Sequence, residues 1–367
     1  MKEHSDLTEV CRAASAHADR AEREYRLGAE VVEAVREAGF ARHFVPARWG
    51  GDEGGFGTCL DAVAALARHD PSAAWCASIA STLGRMAGFL PEEGRRALWA
   101  DGPDTLVAGA LVPAGTAVLE DGGWRLFGRW SYVSGVHSSD AALLACSVPV
   151  PDGAPDERQP RFLLVPRSAY RVEETWRTVG MRGTGSHTLV LDPVHVPVGH
   201  TFGHAELLTG RPAGEAPAPL TVPLRDVSGL TFAGPVLGAV RGALSAWSAA
   251  AARRKPSAAA ESALARAAAE TDAAALLLAR AAEDADRGSR DEWSGARAQR
   301  DQAAAVELLL AAVNGLARTA GTGALQEDAP FQRFWRDATT GATHAVLQWE
   351  PAAHRFATAE LVPYAAG

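Results

Sequence analysis

The spacing of hydrophobic residues along this chain changes twice, from helical to alternating and back to helical. These two changes constrain the possible folds more than any other feature of the sequence. Residues 1–104 space apolar side chains at helical intervals, for example Leu27, Val31 and Val35. Residues 105–205 alternate apolar and polar side chains between turn residues, which is typical of β-strands. Because these patterns bury different faces, we expect an α-helical unit, a central β unit and a second helical unit at 206–367. The fold class is therefore α+β, mostly α.

Turn chemistry gives the sharpest local prediction in the β unit. Asp121-Gly122-Gly123 separates two alternating runs, which predicts a β-hairpin. On the second run Trp130, Tyr132 and Ser134 stand two residues apart, so an unbroken strand would present them on one face. Flat aromatic rings beside a small hydroxyl would suit a flat ligand with a polar edge.

The helical units carry their own start and stop signals. Asp70 can cap a helix that begins at Pro71, and Gly39 is expected to end an earlier one. The residues beyond a Gly-, Ala- and Pro-rich connection are dominated by alanine, which allows close packing of long helices. Four such helices are expected to form an antiparallel bundle, at about 226–254, 258–286, 292–320 and 331–360.

Composition excludes several classes of function. The formal net charge of -8 leaves no positive field for a nucleic acid. Four cysteines without a C-x-x-C pair suggest neither a disulfide framework nor a zinc site, and glycines and a proline around His200 and His204 disfavour a helical metal site. Because the first twenty residues lack the apolar core of a secretory signal and no apolar run reaches eighteen residues, we expect a cytoplasmic protein without a membrane segment.

Common nucleotide and hydrolase signatures are also missing. The sequence has no G-x-G-x-x-G between a strand and a helix, no P-loop and no G-x-S-x-G. The chain as a whole instead resembles the acyl-CoA dehydrogenase superfamily. The resemblance rests on five stretches in register, "AVREAGFARHFVPARWGG", "ARHDPSAAW", "GGWRLFGRWSYVSG", "VGMRGTGSHTLVLDPVHVP" and "FQRFWRDATTGATH".

That resemblance implies an N-terminal helical domain, a central β-barrel-like domain and a C-terminal four-helix bundle, with a flavin between the last two. Subunits would join as dimers or tetramers. Dehydrogenases of this superfamily use a carboxylate base, but here His344 and Ala345 follow the helical "RD", where that acid would fall. The two-component flavin monooxygenases of the same fold commonly carry a histidine in this position, and the chain resembles them here. This resemblance makes His344 the leading catalytic candidate, because an imidazole exchanges protons near neutral pH.

Ser134 is the second catalytic candidate, since it lies where it would bond near the flavin N5 or the substrate oxygen. Some relatives carry a further histidine, facing the substrate, on the helix that follows Asp70. This sequence has no histidine on that helix, so Ser81 or Arg85 would contact the substrate instead. A glycine-rich turn in "GMRGTGS" resembles the loop that meets the flavin. The cofactor-binding residues implied by the resemblance are Trp130, Tyr132, Ser134, Gly135, Arg182, Thr184, Gly185 and Ser186.

The resemblance implies a monooxygenase component that receives reduced FAD or FMN from a separate flavin reductase and forms a C4a-hydroperoxide with O2. It would hydroxylate an aromatic or polyketide-like small molecule, or N-oxidise an amine, in specialised-metabolite biosynthesis. Water must be kept away from such an intermediate. Two alternatives remain open: a desaturase or oxidase with tightly bound FAD, and a family member without catalytic activity.

Overall fold

The computed structural model describes residues 4–150, 157–253, 256–288 and 291–365. Its N-terminal unit is helical, as expected. The first four of its helices bury apolar side chains in a core shared with the C-terminal helices, and the fifth buries Leu98 in a second core shared with the β unit. The helices are α1 (His4–Glu24), α2 (Ala29–Glu37), α3 (Phe56–Ala67), α4 (Pro71–Ala87) and α5 (Glu92–Leu98).

Helix α4 starts where its capping residue predicts. The Asp70 carboxylate accepts hydrogen bonds from the backbone N–H groups of Ser72 and Ala73, at 2.8 and 3.2 Å. Pro71 occupies the first turn, where the missing N–H costs nothing. The predicted start of this helix is therefore confirmed, and this start sets the direction of every later side chain on α4.

The central unit contains two four-stranded sheets, ordered β1-β4-β5-β8 and β2-β3-β7-β6. The predicted hairpin is confirmed: Glu120 pairs with Gly123 across a turn of Asp121 and Gly122, whose φ is +74°. Apolar side chains from both sheets fill the space between them. The strands are β1 (Val107–Ala110), β2 (Thr116–Glu120), β3 (Gly123–Val133), β4 (Ala141–Pro149), β5 (Arg158–Pro166), β6 (Tyr170–Glu173), β7 (His187–Pro197) and β8 (Thr201–Gly203).

Strand β3 does not keep the regular alternation that its sequence suggests. Its pairing with β7 shifts register between Trp130 and Val133, and Tyr132 has a φ of +62°. Trp130 is consequently 1% exposed, whereas Tyr132 is 77% exposed. The expectation that these two rings share one face is wrong, because the irregularity turns the strand between them.

The C-terminal unit is a helical bundle in which α7 and α8 both pack against α9. The fourth predicted helix is in fact two helices separated at residues 342–348. Pro351 has no N–H to donate to the carbonyl of Leu347, so a continuous helix is disfavoured there. The helices are α6 (His204–Thr209), α7 (Leu224–Ala251), α8 (Ala258–Asp286), α9 (Glu292–Ala320), α10 (Pro330–Gly341) and α11 (Trp349–Ala365).

Helices α7 and α9 are long and apolar enough to cross a membrane by length and composition alone. In α7, 72% of the apolar window is buried inside the protein, against 39% in α9. Leu309, Val313 and Leu316 of α9 are fully buried in the same core as α7. These apolar side chains therefore pack within the bundle.

Candidate active site

Trp75, on the second turn of α4, connects the β unit with the bundle. Its indole N–H donates to Ser134 Oγ at 3.2 Å, at the end of β3. Its ring centroid lies 4.9 Å from that of Phe232 on α7 and 5.9 Å from that of His344. Ser134 and His344, 210 positions apart in the sequence, therefore border the same indole. Both predicted catalytic residues thus contact Trp75, although His344 does not line the pocket that Ser134 borders.

Ser134 begins a chain of buried hydroxyl groups. Its Oγ lies 2.8 Å from Ser186 Oγ, which lies 2.7 Å from Thr184 Oγ1. Thr184 donates to the carbonyl of Met181 at 2.9 Å, and Trp75 donates to Ser134 at the other end. These two ends give one consistent direction, in which Ser134 donates its proton to Ser186. One lone pair of Ser134 Oγ then remains to accept a hydrogen bond from a ligand.

The backbone around Ser134 is shaped by residues with positive φ. Gly135 has a φ of +69° and donates its N–H to the carbonyl of Thr184 at 2.8 Å. A Cβ at Gly135 would meet only Cys76 Sγ, at 3.8 Å, so open space adjoins this backbone. Met181 and Gly185, with φ of +52° and +53°, bracket the turn that carries Thr184. The end of β3 and this turn thus form one continuous backbone surface.

The exposed ring of Tyr132 provides an aromatic surface two residues before Ser134. It meets Trp176 edge-on, with 6.3 Å between the ring centroids. An exposed aromatic residue with a strained positive φ is uncommon and persists where the surrounding structure holds it. Tyr132 therefore remains a good candidate for contact with a flat cofactor. Trp130 does not, because it is buried in the β core and donates its indole N–H to the carbonyl of Ala145 at 2.9 Å.

His344 lies in the break between α10 and α11. Its ring stacks on Phe232, with 3.6 Å between centroids and 17° between the planes. Nδ1 accepts the backbone N–H of Val346 at 3.4 Å, which assigns the proton to Nε2. Burial lowers the pKa of His344 to about 4, so the imidazole is neutral at pH 7. It thus presents a neutral Nε2–H that donates a hydrogen bond.

The turn at residues 179–186 is held by the bundle. The buried Asp337 on α10 accepts the backbone N–H of Met181 at 2.5 Å, and burial raises the pKa of Asp337 to about 7. Arg336 bonds the carbonyl of Val179 and, at 2.7 Å, the Glu22 carboxylate of α1. Neighbouring side chains of the "WRD" sequence therefore position the turn that carries the hydroxyl chain.

Arg182 was expected at the flavin phosphate or ring edge, but its contacts point elsewhere. Its guanidinium lies 3.4 Å from Glu22, packs over the Tyr25 ring and donates to the carbonyl of Thr178 at 2.8 Å. These contacts pair its positive charge with Glu22 and place its guanidinium against the Tyr25 ring. We therefore reassign Arg182 from cofactor binding to the contact between α1 and the β unit.

A partly open pocket adjoins the hydroxyl chain. Its polar side contains Ser134, Gly135, Thr184 and Gly185, and His137 contributes a buried Nε2 atom without a hydrogen-bond partner among the described residues. The opposite side is apolar, from α2, α4 and β1. An apolar wall facing polar atoms with spare bonding capacity fits the polar edge of a flavin ring.

The two predicted substrate residues differ in their placement. Ser81 is fully buried and donates its hydroxyl to the carbonyl of Phe40 at 2.7 Å, so its predicted contact with substrate is wrong. Arg85 is also buried, but it lines a second, small cavity between α3, α4 and α7. Phe232 and Trp75 were not among the predicted site residues. The cap at Asp70 gave a signal for the placement of Trp75, whereas no sequence signal identified Phe232.

Comparisons with known proteins agree with this geometry. Residues 230–349 match the family model "Acyl-CoA dehydrogenase, C-terminal domain". A resorcinol hydroxylase oxygenase component from Rhizobium sp. (strain MTP-10005), named as FADH(2)-dependent, is 31% identical over 89% of this chain and 85% of that protein. The crystal structure of 3-HSA hydroxylase from Rhodococcus sp. RHA1 superposes with a TM-score of 0.91 at 27% identity, covering 98% of this chain and 96% of the other.

A third similar protein has been solved with a cofactor. XiaF from Streptomyces sp., in complex with FADH2 and glycerol, superposes with a TM-score of 0.87 at 29% identity. The superposition covers 96% of this chain and 94% of that protein. The agreement in fold therefore extends over nearly the full length of each chain.

Proposed function

This chain belongs to the two-component flavin-dependent monooxygenases of the acyl-CoA dehydrogenase superfamily, and we propose that its substrate is an aromatic or polyketide-like small molecule. The reaction is hydroxylation with reduced FAD or FMN and O2. One observation carries the proposal: Ser134 and His344 border the same indole, between an exposed aromatic strand end and an apolar bundle wall. Reduced flavin, once bound, supplies the activated oxygen.

The chain's own residues have separable roles in this proposal. Ser134 accepts a hydrogen bond from the flavin N–H edge through its free lone pair, and the Ser186–Thr184 chain fixes the direction of its hydroxyl. His344, neutral at pH 7, would donate a hydrogen bond from its Nε2–H to an oxygen atom of the reacting groups and hold that oxygen in place. Phe232 and Trp75 exclude water from the space beside His344.

A dehydrogenase or oxidase is the competing activity within the superfamily. Its base would need to be a carboxylate beside the substrate, yet the break after α10 presents the His344 imidazole. The buried Asp337 nearby accepts a backbone N–H within the fold, which gives it a structural task. These contacts favour oxygenation over removal of an α-proton from a thioester.

The partners follow from the same family. Oxygenase components of two-component systems require a separate flavin reductase and a small-molecule substrate. We further propose a cytoplasmic location and a homo-oligomer, as a dimer or tetramer. Large hydrophobic side chains exposed on the β unit support self-association, among them Val112, Leu119, Tyr132 and Val179. Light scattering coupled to size exclusion tests this, and a monomer at micromolar concentration would contradict it.

Stopped-flow absorbance tests the proposed activity. Mixing the protein and reduced flavin with oxygenated buffer is expected to delay the appearance of oxidised flavin, and product should form with a suitable phenol. His344→Ala should lower product formation by about 100-fold or more and divert oxygen to H2O2, because the proton donor is lost. His354→Ala, an exposed histidine on α11, is the matched control and should leave the product yield unchanged.

Two other experimental results would contradict the proposed oxygenase activity. A protein that purifies with tightly bound yellow flavin, which its substrate reduces without any reductase, would establish the dehydrogenase or oxidase instead. Immediate flavin reoxidation together with no effect of His344→Ala would identify a family member without oxygenase activity.

A further inference from the structure

A second, small cavity lies between α3, α4 and α7, and Ser78, three residues after Trp75 on α4, lines one side of it. Its walls are mostly apolar. Ser78 donates to the carbonyl of Thr231 at 2.7 Å, and the hydroxyls of Thr82 and Thr231 lie 2.8 Å apart. The hydroxyl groups in the wall thus satisfy each other across α4 and α7. Apolar lining residues include Phe44, Phe56, Leu60, Val63, Leu224 and Leu230.

Arg85 is the charged residue in this lining, and it is 1% exposed. Its Nε donates to the carbonyl of Pro219 at 2.7 Å, and Nη2 bonds the carbonyl of Val222. Nη1 is buried without any partner among the described residues. Asp226 acts on Arg85 through its charge, but its carboxylate is bonded to Arg355 at 2.9 Å.

A buried guanidinium without an anion is energetically unfavourable. Burial lowers the pKa of Arg85 to about 9, so the group still carries its charge at pH 7. Carbonyl acceptors satisfy its N–H groups in part but do not neutralise it. A cation retained at the end of an apolar cavity therefore has one unmet requirement, an anionic partner.

The cavity and the candidate active site are both bordered by residues on one face of α4. Trp75, Ser78, Thr82 and Arg85 are spaced by three or four residues, so they form one stripe along α4. Ten residues of helix separate Trp75 from Arg85, about 15 Å at the usual rise. One end of the stripe contacts His344 and Ser134, and the other end carries the unpaired Nη1 atom.

We propose that this cavity is the distal part of the substrate pocket and that Arg85 Nη1 binds a carboxylate of the substrate. The proposal rests on the proposed monooxygenase function and narrows it to one class. The substrate is an elongated aromatic acid, with its reacting ring beside Trp75 and His344 and its carboxylate at Arg85. Arg85 is then a specificity-determining residue.

Calorimetric binding to the flavin-free protein tests the assignment without relying on turnover. The probes are 4′-hydroxybiphenyl-4-carboxylate and its neutral carboxamide, which differ in charge at one end. We expect wild-type protein to bind the carboxylate about 10- to 100-fold more tightly than the amide, as charged hydrogen bonds in a buried site do. Arg85→Met should abolish this preference without weakening amide binding, and Arg85→Lys should retain part of it.

Arg161→Met is the matched control. Arg161 on β5 is a partly buried arginine that donates to Thr201 Oγ1 at 2.9 Å, outside this cavity. It should leave the preference for the carboxylate unchanged. Circular dichroism establishes that each variant is folded, and if Arg85→Met fails to fold, the wild-type comparison of the two probes decides alone.

The outcomes separate this inference from the function on which it rests. Equal affinity of wild type for the two probes, or no binding of the carboxylate, overturns the role of Arg85 and leaves the stopped-flow test of oxygenase activity untouched. A carboxylate preference that Arg85→Met removes supports the anion site. If such a protein also fails the stopped-flow test, the anion site stands and the monooxygenase proposal falls.

Discussion

His344 shows how one side chain acquires its chemistry from its neighbours. Stacking on Phe232 and contact with Trp75 remove the ring from water, and burial lowers its pKa to about 4. An exposed histidine would be partly charged near its ordinary pKa of 6.5. Because His344 is neutral across the physiological range, its hydrogen-bond donor does not vary with pH between about 6 and 8.

The lowered pKa also makes a stability prediction. The folded-state pKa lies below the unfolded value, so the neutral ring stabilises the fold fully above pH 6.5 and progressively less as the pH falls toward 4. Between pH 7 and 5 the loss should be at most about 2 kcal/mol. Urea unfolding of wild type and His344→Asn at both pH values measures it. A difference between the two proteins that is constant with pH would contradict the neutral, buried imidazole.

At the scale of elements, the cap of α4 fixes where this helix begins. It thereby sets the direction of the side chains on the stripe that includes Trp75 and Arg85. Asp70 is buried, and its carboxylate fixes the first turn from which Trp75 follows. A change at this cap therefore affects both stability and the position of the indole that joins Ser134 to His344. The other end of the same helix carries Arg85, so the proposed pocket depends on this one element.

Asp70→Ala should lower the free energy of unfolding by about 1–2 kcal/mol, because it leaves two buried backbone N–H groups without an acceptor. Hydroxylation should fall as well, since Trp75 moves with the first turns. Ser257→Ala is the matched control: it removes the cap of α8, which accepts the N–H of Ala260 at 3.2 Å far from the site. That variant should lose stability and keep its product yield per folded molecule. Thermal unfolding and product assays on both variants measure this, and equal yields from the two would contradict the role of the α4 cap.

At the scale of the whole molecule, Glu22 of α1 connects all three units. It lies 2.7 Å from Arg336 of α10 and 3.4 Å from Arg182 of the β unit, and all three side chains are partly buried. Asp337, next to Arg336, holds the same turn through Met181. The turn that carries Thr184 and Ser186 is therefore set by contacts from both helical units.

Glu22→Gln should destabilise the protein by about 1–2 kcal/mol, because it leaves two partly buried guanidinium groups without their shared anion. Glu9→Gln is the control on the same helix, since its pair with Arg12 is exposed and should contribute nothing measurable. Calorimetric melting of both variants measures the difference. An unchanged melting temperature for Glu22→Gln would show that the three units are held together by apolar packing alone.

Local signals in the sequence determined much of the architecture. The Asp121-Gly122 turn, the Asp70 cap and the change of hydrophobic period act through neighbouring residues, so they predict the hairpin, the start of α4 and the order of the three units. These features depend on side chains within a few positions of each other. His344 was instead singled out through the family resemblance around "WRD", and its catalytic role stays a prediction.

Tertiary structure decided what depends on distant residues. Pairing with β7 turned β3 between Trp130 and Tyr132, which buried one ring and exposed the other. Ser81 was buried against the carbonyl of Phe40, whereas Arg85 came to line a cavity between α3, α4 and α7. Phe232 joined His344 through a contact that spans more than a hundred residues. No pattern in a single sequence specifies such contacts, because burial is settled only when separate elements pack together.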